Sequence, residues 1–219
     1  MTRHNLFTQF YLDKNPIRFV ELLYCIYKHK IGRYNKVTLL VENAETLDYC
    51  GRNFPEYIAI NIGKRANFND FFIELEKEEN KGFYNIICNT DIYFPDPIQI
   101  NHFYYNHKQY DPSRTILALS RYDIEVDSNK TPFHRPDSQD SWVFYGNPSV
   151  RTTLEYGMGE AGCDNRLAYD LQSQGFEPIN PCTQVHTYHY HQSQIRNYLN
   201  HSNEPISRVP PPYKLLNPF

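Results

Sequence analysis

The sequence predicts an α/β fold: a single domain with a central mixed, mostly parallel sheet flanked by helices. Three observations predict it. Apolar runs of strand length alternate through the first half of the chain with segments whose apolar residues recur at helical spacing. Each apolar run ends in polar residues. The 219 residues, 40% of them hydrophobic and 21% charged, suffice for a sizeable core in one large domain or a compact pair.

The first expected strand covers residues 6–12, followed by Asp13-Lys14-Asn15-Pro16. Pro16 can open a helix at its first position. Phe19, Leu22, Leu23, Ile26 and Tyr27 then give residues 17–30 a helical period, which Gly32 ends. KVTLLVEN (36–43) and YIAINIG (57–63) are the next two strands. FNDFFIELEKEENKG (68–82) is a helix with Asn69 as N-cap and Gly82 as stop. NIICNTDIYF (85–94) is the fourth strand.

The second half is less regular. Residues 114–123 and 140–146 read as strands. A glycine-bearing loop feeds a helix that starts near Asp164 and stops at Gly175, and TQVHTYHYH (183–191) alternates like a strand. The tail RVPPPYKLLNPF cannot continue a helix. The domain is therefore placed at 1–207, with 208–219 as a proline-rich linker or wrapping arm that could lead to further domains.

Composition narrows the function classes. A net charge of −3 with no Lys/Arg block disfavours nucleic acid. Five cysteines without a CxxC pair argue against a disulfide framework or zinc knuckle and favour a reducing compartment. The N-terminus lacks the features of a signal peptide, and no run approaches the about 20 apolar residues of a membrane span. A soluble, cytoplasmic protein is the expectation. Aromatic residues, 16% of the chain, can fill a core or line a groove for planar or sugar rings.

In open α/β sheets ligands bind beyond the carboxyl ends of the strands. Thr8 and Gln9, Glu42, Lys64 and Arg65, and Asn89, Thr90 and Asp91 all fall at such ends. Arg65 either contacts a phosphate or base edge or is a solvated loop charge. Asp91 either holds Mg2+ or Mn2+ against a diphosphate or caps the turn that follows it. Asp96, between prolines, reads as a turn residue.

Strand alternation puts His189 and His191 on one face, as a metal-ligand pair or as half-exposed strand residues. Arg196 just beyond them is another phosphate-binding candidate. Asp140 sits at the mouth of a strand beside the only tryptophan. Asp164 opens a helix, whose N-terminus favours an ionised carboxylate. It is either the N-cap or a general base toward an acceptor hydroxyl. Asp170, further along the helix, reads as a solubilising charge.

Together NTDIYF, SQDSWVF, GCDNRLAYDL and NPCTQVHTYHYHQSQIRNY, in that order, resemble the GT-A-fold nucleotide-sugar glycosyltransferases, above all the glycosyltransferase domains of chlorella viruses. The likeness spans roughly residues 8–198. It implies a single GT-A-like, Rossmann-like domain that moves a hexose or deoxyhexose from a nucleoside-diphosphate donor, a UDP-sugar, to a glycan or glycoprotein hydroxyl, assisted by Mn2+ or Mg2+. It implies a viral protein working in the host cytoplasm. Asp91 would match the last acid of the family's Asp-any-Asp motif, with Asn89 in place of the first. The late metal-binding histidine falls on His189 or His191, and the base on Asp164, with Asp140 the competing choice or a ligand of sugar hydroxyls. Thr8, Gln9 and Arg65 fall where the nucleoside is held. Trp142, Tyr156 and the loop 157–162 would stack on sugar rings and close over the donor.

Three other readings compete. A nucleotidyltransferase would want a glycine-rich phosphate loop after the first strand, which LDKNP lacks. A non-enzymatic carbohydrate-binding domain would bind no nucleotide. A histidine-based metal hydrolase would want a third clear ligand.

Overall fold

The computed structural model describes residues 3–125, 127–133, 135, 138–152, 155–160, 162–193 and 195. Arg196, the boundary at 207 and the tail 208–219 lie outside them.

Strand β1 (His4–Phe10) is buried along its length. Helix α1 (Pro16–Ile31) begins where the Asn15 side chain accepts from the Ile17 and Arg18 amides at 3.0 and 3.3 Å, while Pro16 has no N–H to satisfy. After β2 (Lys36–Val41) comes α2 (Ala44–Asn53), a helix absent from the sequence reading. Asn43 caps it at 2.8 Å, and it buries only Thr46 and Cys50, too thin a stripe to register as periodicity. Strand β3 (Ile58–Asn61) is followed by α3 (Phe68–Leu75). Asn67, not Asn69, caps α3 through a reciprocal box with Asp70. The helix stops well short of Gly82 because Asn80 donates back to the Glu74 and Leu75 carbonyls, at 2.7 and 3.2 Å.

The fourth expected strand is two. β4 (Tyr84–Cys88) ends in a turn, with Ile92 N–H donating to Asn89 O at 3.1 Å, and β5 (Ile92–Tyr93) joins another sheet. Helix α4 (Ile98–Asn106), also unforeseen, follows with Asp96 accepting from the Ile98 amide. The strand expected over 114–123 divides likewise into β6 (Thr115–Leu119) and β7 (Tyr122–Ile124). Then come β8 (Lys130–Pro132), β9 (Ser141–Tyr145), α5 (Cys163–Ser173), β10 (Glu177–Ile179) and β11 (Tyr188–His189).

The main sheet has the order β10-β6-β9-β4-β1-β2-β3, parallel except for β9, which runs against β4 and β6. Helices α1, α2 and α4 pack on one face around Leu22, Ile26, Cys50 and Phe103. Helices α3 and α5 pack on the other around Phe71, Phe72, Leu167 and Leu171. Trp142 and Tyr156 belong to this second layer at 0% and 2% exposure, so neither is free to stack on a sugar. Asp170 is no surface charge either. It is buried, accepts from the Tyr156 hydroxyl at 2.9 Å and pairs with Arg166.

The chain leaves β1 toward β2 and β3 on one side and returns to β4 on the other. The topology therefore reverses at β1, and the crevice of such a sheet lies at the carboxyl ends of β1 and β4. The smaller sheet, β5-β11-β7-β8, lies just past those ends, since β5 and β7 directly continue β4 and β6. At the opposite, amino-terminal end of β1 and β4, the buried amides of Asn5, Asn80 and Asn85 bond one another.

Candidate active site

The crevice holds a small cavity of about 80 Å3, large enough for a cation and a few waters. Gln9, Arg65, Asn89, Thr90, Asp91, Asp140, His189 and His191, all singled out in the sequence, line it. Thr8 and Glu42 do not. Thr8 is fully buried and its hydroxyl donates to the Cys88 carbonyl at 2.8 Å. Glu42 precedes Asn43, whose turn into the cap of α2 takes the chain away from the cavity. Thr90 reaches the cavity wall, but its hydroxyl is spent on the Gln9 carbonyl at 2.8 Å.

The short β4–β5 turn projects Asp91 at the reversal point, and pairing of β11 with β5 and β7 sets His189 opposite it. Asp91, His189 and His191 each offer a ligand atom within 4.8 Å of the others. His189 Nε2 lies 3.3 Å and His191 Nδ1 3.8 Å from Asp91 Oδ2.

Around this triad runs a chain of alternating charge. Arg18 joins Glu21 at 3.0 Å and Asp91 at 2.5 Å. His189 Nδ1 lies 2.7 Å from Asp123, and Arg121 joins Asp123 at 2.9 Å and Asp140 at 2.6 Å. Asn89 then donates to the other Asp140 oxygen at 3.0 Å. Arg65 lines the far wall with its guanidinium over the Tyr11 ring. Met158 and Gly159, from the glycine-bearing loop, form part of the lining.

These neighbours set the protonation states. Burial alone would raise the Asp91 carboxyl, but His189 and Arg18 outweigh it and hold Asp91 well below the usual carboxylate range. Burial opposes charge on His189, yet Asp91 and Asp123 raise it to about 9. His191 shifts downward instead, through burial and then Arg18, toward the neutral form that ligates metals.

Asp164 does not line the cavity. It sits in the first turn of α5 behind Asp140, and the N-cap is Gly162 rather than Asp164. The sequence expects it to be ionised. Burial, followed by the Asp140 charge, outweighs the helix N-terminus and lifts Asp164 to about 8.

Sequence reasoning missed Arg18, Glu21, Arg121 and Asp123. Arg18 and Glu21 did leave a signal: opposite charges three residues apart on the same helix stripe as Leu22 and Cys25, a face otherwise meant for the core.

No family model and no curated protein sequence matches the chain. Solved structures share its fold. The mannosyltransferase PcManGT from Pyrobaculum calidifontis, determined with GDP-Man and Mn2+, aligns over 88% of this chain with a TM-score of 0.51 and 12% identity. S. aureus TarS 1-349 aligns over 86% with a TM-score of 0.50 and 10% identity. The chain spans 58% and 60% of the lengths of those two proteins. The fold is therefore the mixed α/β, GT-A-like arrangement predicted from the sequence.

Proposed function

We propose that this chain transfers a sugar from a nucleoside-diphosphate donor to a hydroxyl of a glycan or glycoprotein acceptor. The observation that carries the reading is the convergence of Asp91, His189 and His191 within 4.8 Å at the reversal point of the sheet, with Arg18 and Arg121 on either side. One carboxylate oxygen and two imidazole nitrogens, that of His189 after the entering cation displaces its proton, suit Mn2+ better than Mg2+, which favours oxygen ligands throughout. A cation bound there would supply positive charge against the donor's phosphates.

The chain's own groups do the rest. Gln9, Tyr11 and Arg65 form the wall along which the nucleoside would extend from the small cavity. Arg18, Arg121 and Arg65 line the same cavity and would offset the negative charge that develops as the diphosphate leaves. Both oxygens of Asp140 are engaged, by Asn89 and Arg121, which suits a group that positions sugar hydroxyls. Asp164 stands behind Asp140, outside the cavity lining, so as the base it would work through a bridging water. In an inverting reaction the acceptor oxygen would form the new bond to the anomeric carbon as the diphosphate departs with the old bonding pair, and the hydroxyl proton would pass through that water to the Asp164 carboxylate. Uridine as the donor base and a viral origin follow from the motif resemblance alone.

A thermal-shift panel of UDP-, GDP- and dTDP-sugars, each with and without Mn2+, tests the reading. The expected result is stabilisation by one nucleotide class that requires Mn2+. No shift with any of them overturns it.

A further inference from the structure

Helix α1 has two apolar faces, and the core takes only one. Leu22, Cys25 and Ile26 are buried against the sheet. On the other side Ile17, Val20, Tyr27 and Ile31 are 62%, 61%, 50% and 69% exposed, with half-buried Tyr24 in the middle of the row. At 3.6 residues per turn these five share an arc of about 80° and a length of roughly 21 Å. A helix that is apolar all round is normally covered all round, and a contiguous exposed patch of this kind marks an interaction surface.

The rim of the patch identifies the partner. Lys28 and Lys30 flank the row on its two long sides, Lys14 precedes its first residue and Arg33 follows its last. Nearby acids are engaged: Glu56 with Lys30, Asp13 with the Asn15 amide, and Glu21 with Arg18 and Ser193. Protein–protein interfaces are depleted in lysine. Helices that lie in a lipid interface are framed by it, because the long stems pass apolar surface and set the ammonium groups among the headgroups, where tyrosines also sit. Lys28 holds this posture already, with its Nζ 5.0 Å from the centre of the Tyr24 ring.

We propose that this face of α1 docks the protein on an anionic lipid surface, with the helix axis in the membrane plane. Among the described residues no helix is long and apolar enough to cross the membrane. A groove of about 560 Å3, between Pro16, Ile17, Val20 and Tyr190, opens on the same face. Docking would place the Asp91 cavity, which Arg18 reaches from the opposite side of α1, about one helix diameter (~10 Å) from the headgroups.

The test is co-sedimentation of the full chain with vesicles of phosphatidylcholine, with and without one-quarter phosphatidylglycerol. Binding is expected with the anionic vesicles, and about tenfold weaker binding with neutral vesicles or at high salt. Ile17→Ser combined with Ile31→Ser removes the apolar contact, and Lys28→Glu combined with Arg33→Glu reverses charge only. Each pair is expected to weaken binding about tenfold or more with an unchanged circular dichroism spectrum. Failure of the parent protein to sediment, or undiminished binding by both variant pairs, overturns the proposal. So does a dimer in solution that Ile17→Ser with Ile31→Ser dissolves, since a second copy would then be the occupant.

Discussion

Asn89 and Asp140 are bonded twice: the Asn89 side-chain amide donates to Asp140 Oδ1 at 3.0 Å, and its backbone N–H donates to the Asp140 carbonyl at 3.1 Å. This explains the amide at the position where the resembled family carries the first acid of its motif. An aspartate there would face the Asp140 carboxylate at hydrogen-bond distance with no proton to share. Asn89→Asp is therefore expected to lower stability by about 1–3 kcal/mol and to leave Mn2+ affinity no better. Thermal unfolding and a Mn2+ titration check it; tighter metal binding at undiminished stability would contradict it.

Asp91→Asn should remove two properties at once. The neutral amide no longer balances Arg18 and His189, and breaking a buried ion pair from one side costs about 3–5 kcal/mol. Mn2+ binding should vanish in calorimetric titration of the variant, and its urea midpoint should fall. A variant as stable as its parent would show that Asp91 is not bearing the network.

Asp164 makes activity and stability respond oppositely to pH. Its carboxyl titrates at about 8 in the folded chain and near 4 when unfolded, so the folded state holds a proton that the unfolded state has lost. The contribution to stability is complete below pH ~4 and is lost as pH rises toward 8. The base, in contrast, is ionised only at the upper end, so kcat/KM should climb with pH and level off beyond about 8. Asp164→Asn should remove turnover by roughly 10²–10⁴-fold and keep donor affinity. Full turnover in Asp164→Asn with loss in Asp140→Asn would exchange the two roles.

His29 produces an acid limit of its own. It is buried in α1, and burial lowers it to about 3. The unfolded chain takes up that proton near 6.5, so stability is intact above pH ~6.5 and declines by up to about 1.4 kcal/mol per pH unit below it. Urea unfolding between pH 7 and 5 should show this slope, and His29→Phe should flatten it. Equal slopes in the two proteins would rule His29 out as the source.

Asn85 holds the far end of the sheet. Its amide donates to the Gly146 and Asn80 carbonyls at 2.6 and 3.0 Å, and its oxygen accepts from Asn5 at 2.9 Å. Asn85→Leu leaves those groups buried without partners, and about 3 kcal/mol of stability should go with them. Chemical denaturation measures the loss; a change below about 0.5 kcal/mol would mean that the pocket rearranges freely.

The long elements could be read from the chain because their signals are local. Pro16 and the apolar spacing of α1, or the continuous run of β2, need no knowledge of the rest. What failed was non-local. Residues 85–94 and 114–123 each look like one strand, but each changes sheets midway, at Asn89–Asp91 and at Ser120. Ser120 turns because its buried amide and hydroxyl find partners in Asn180 and Ser138, which no local pattern announces. That misreading concealed Arg121 and Asp123. Aromatic residues were opaque for another reason: Trp142 and Tyr156 are equally suited to a sugar and to a core, and packing alone decides between them. The histidines and Asp91 were legible as types of ligand, while their convergence depends on β11 pairing with β5.

The charge chain from Glu21 to Asn89 also ties helix α1 and the loop before β9 to the smaller sheet. Asp91 and His189 are 98 positions apart in sequence, and they meet because β11 pairs with β5, next to Asp91, inside the smaller sheet. Salt screens these mostly buried charges little, and each one that swings away leaves its neighbour uncompensated. Amide exchange in β11 and solvent entry at Asp91 should therefore follow one opening event. A guest that displaces His189 from Asp91 therefore pulls on the strand that carries it, β11, and on both of its neighbours.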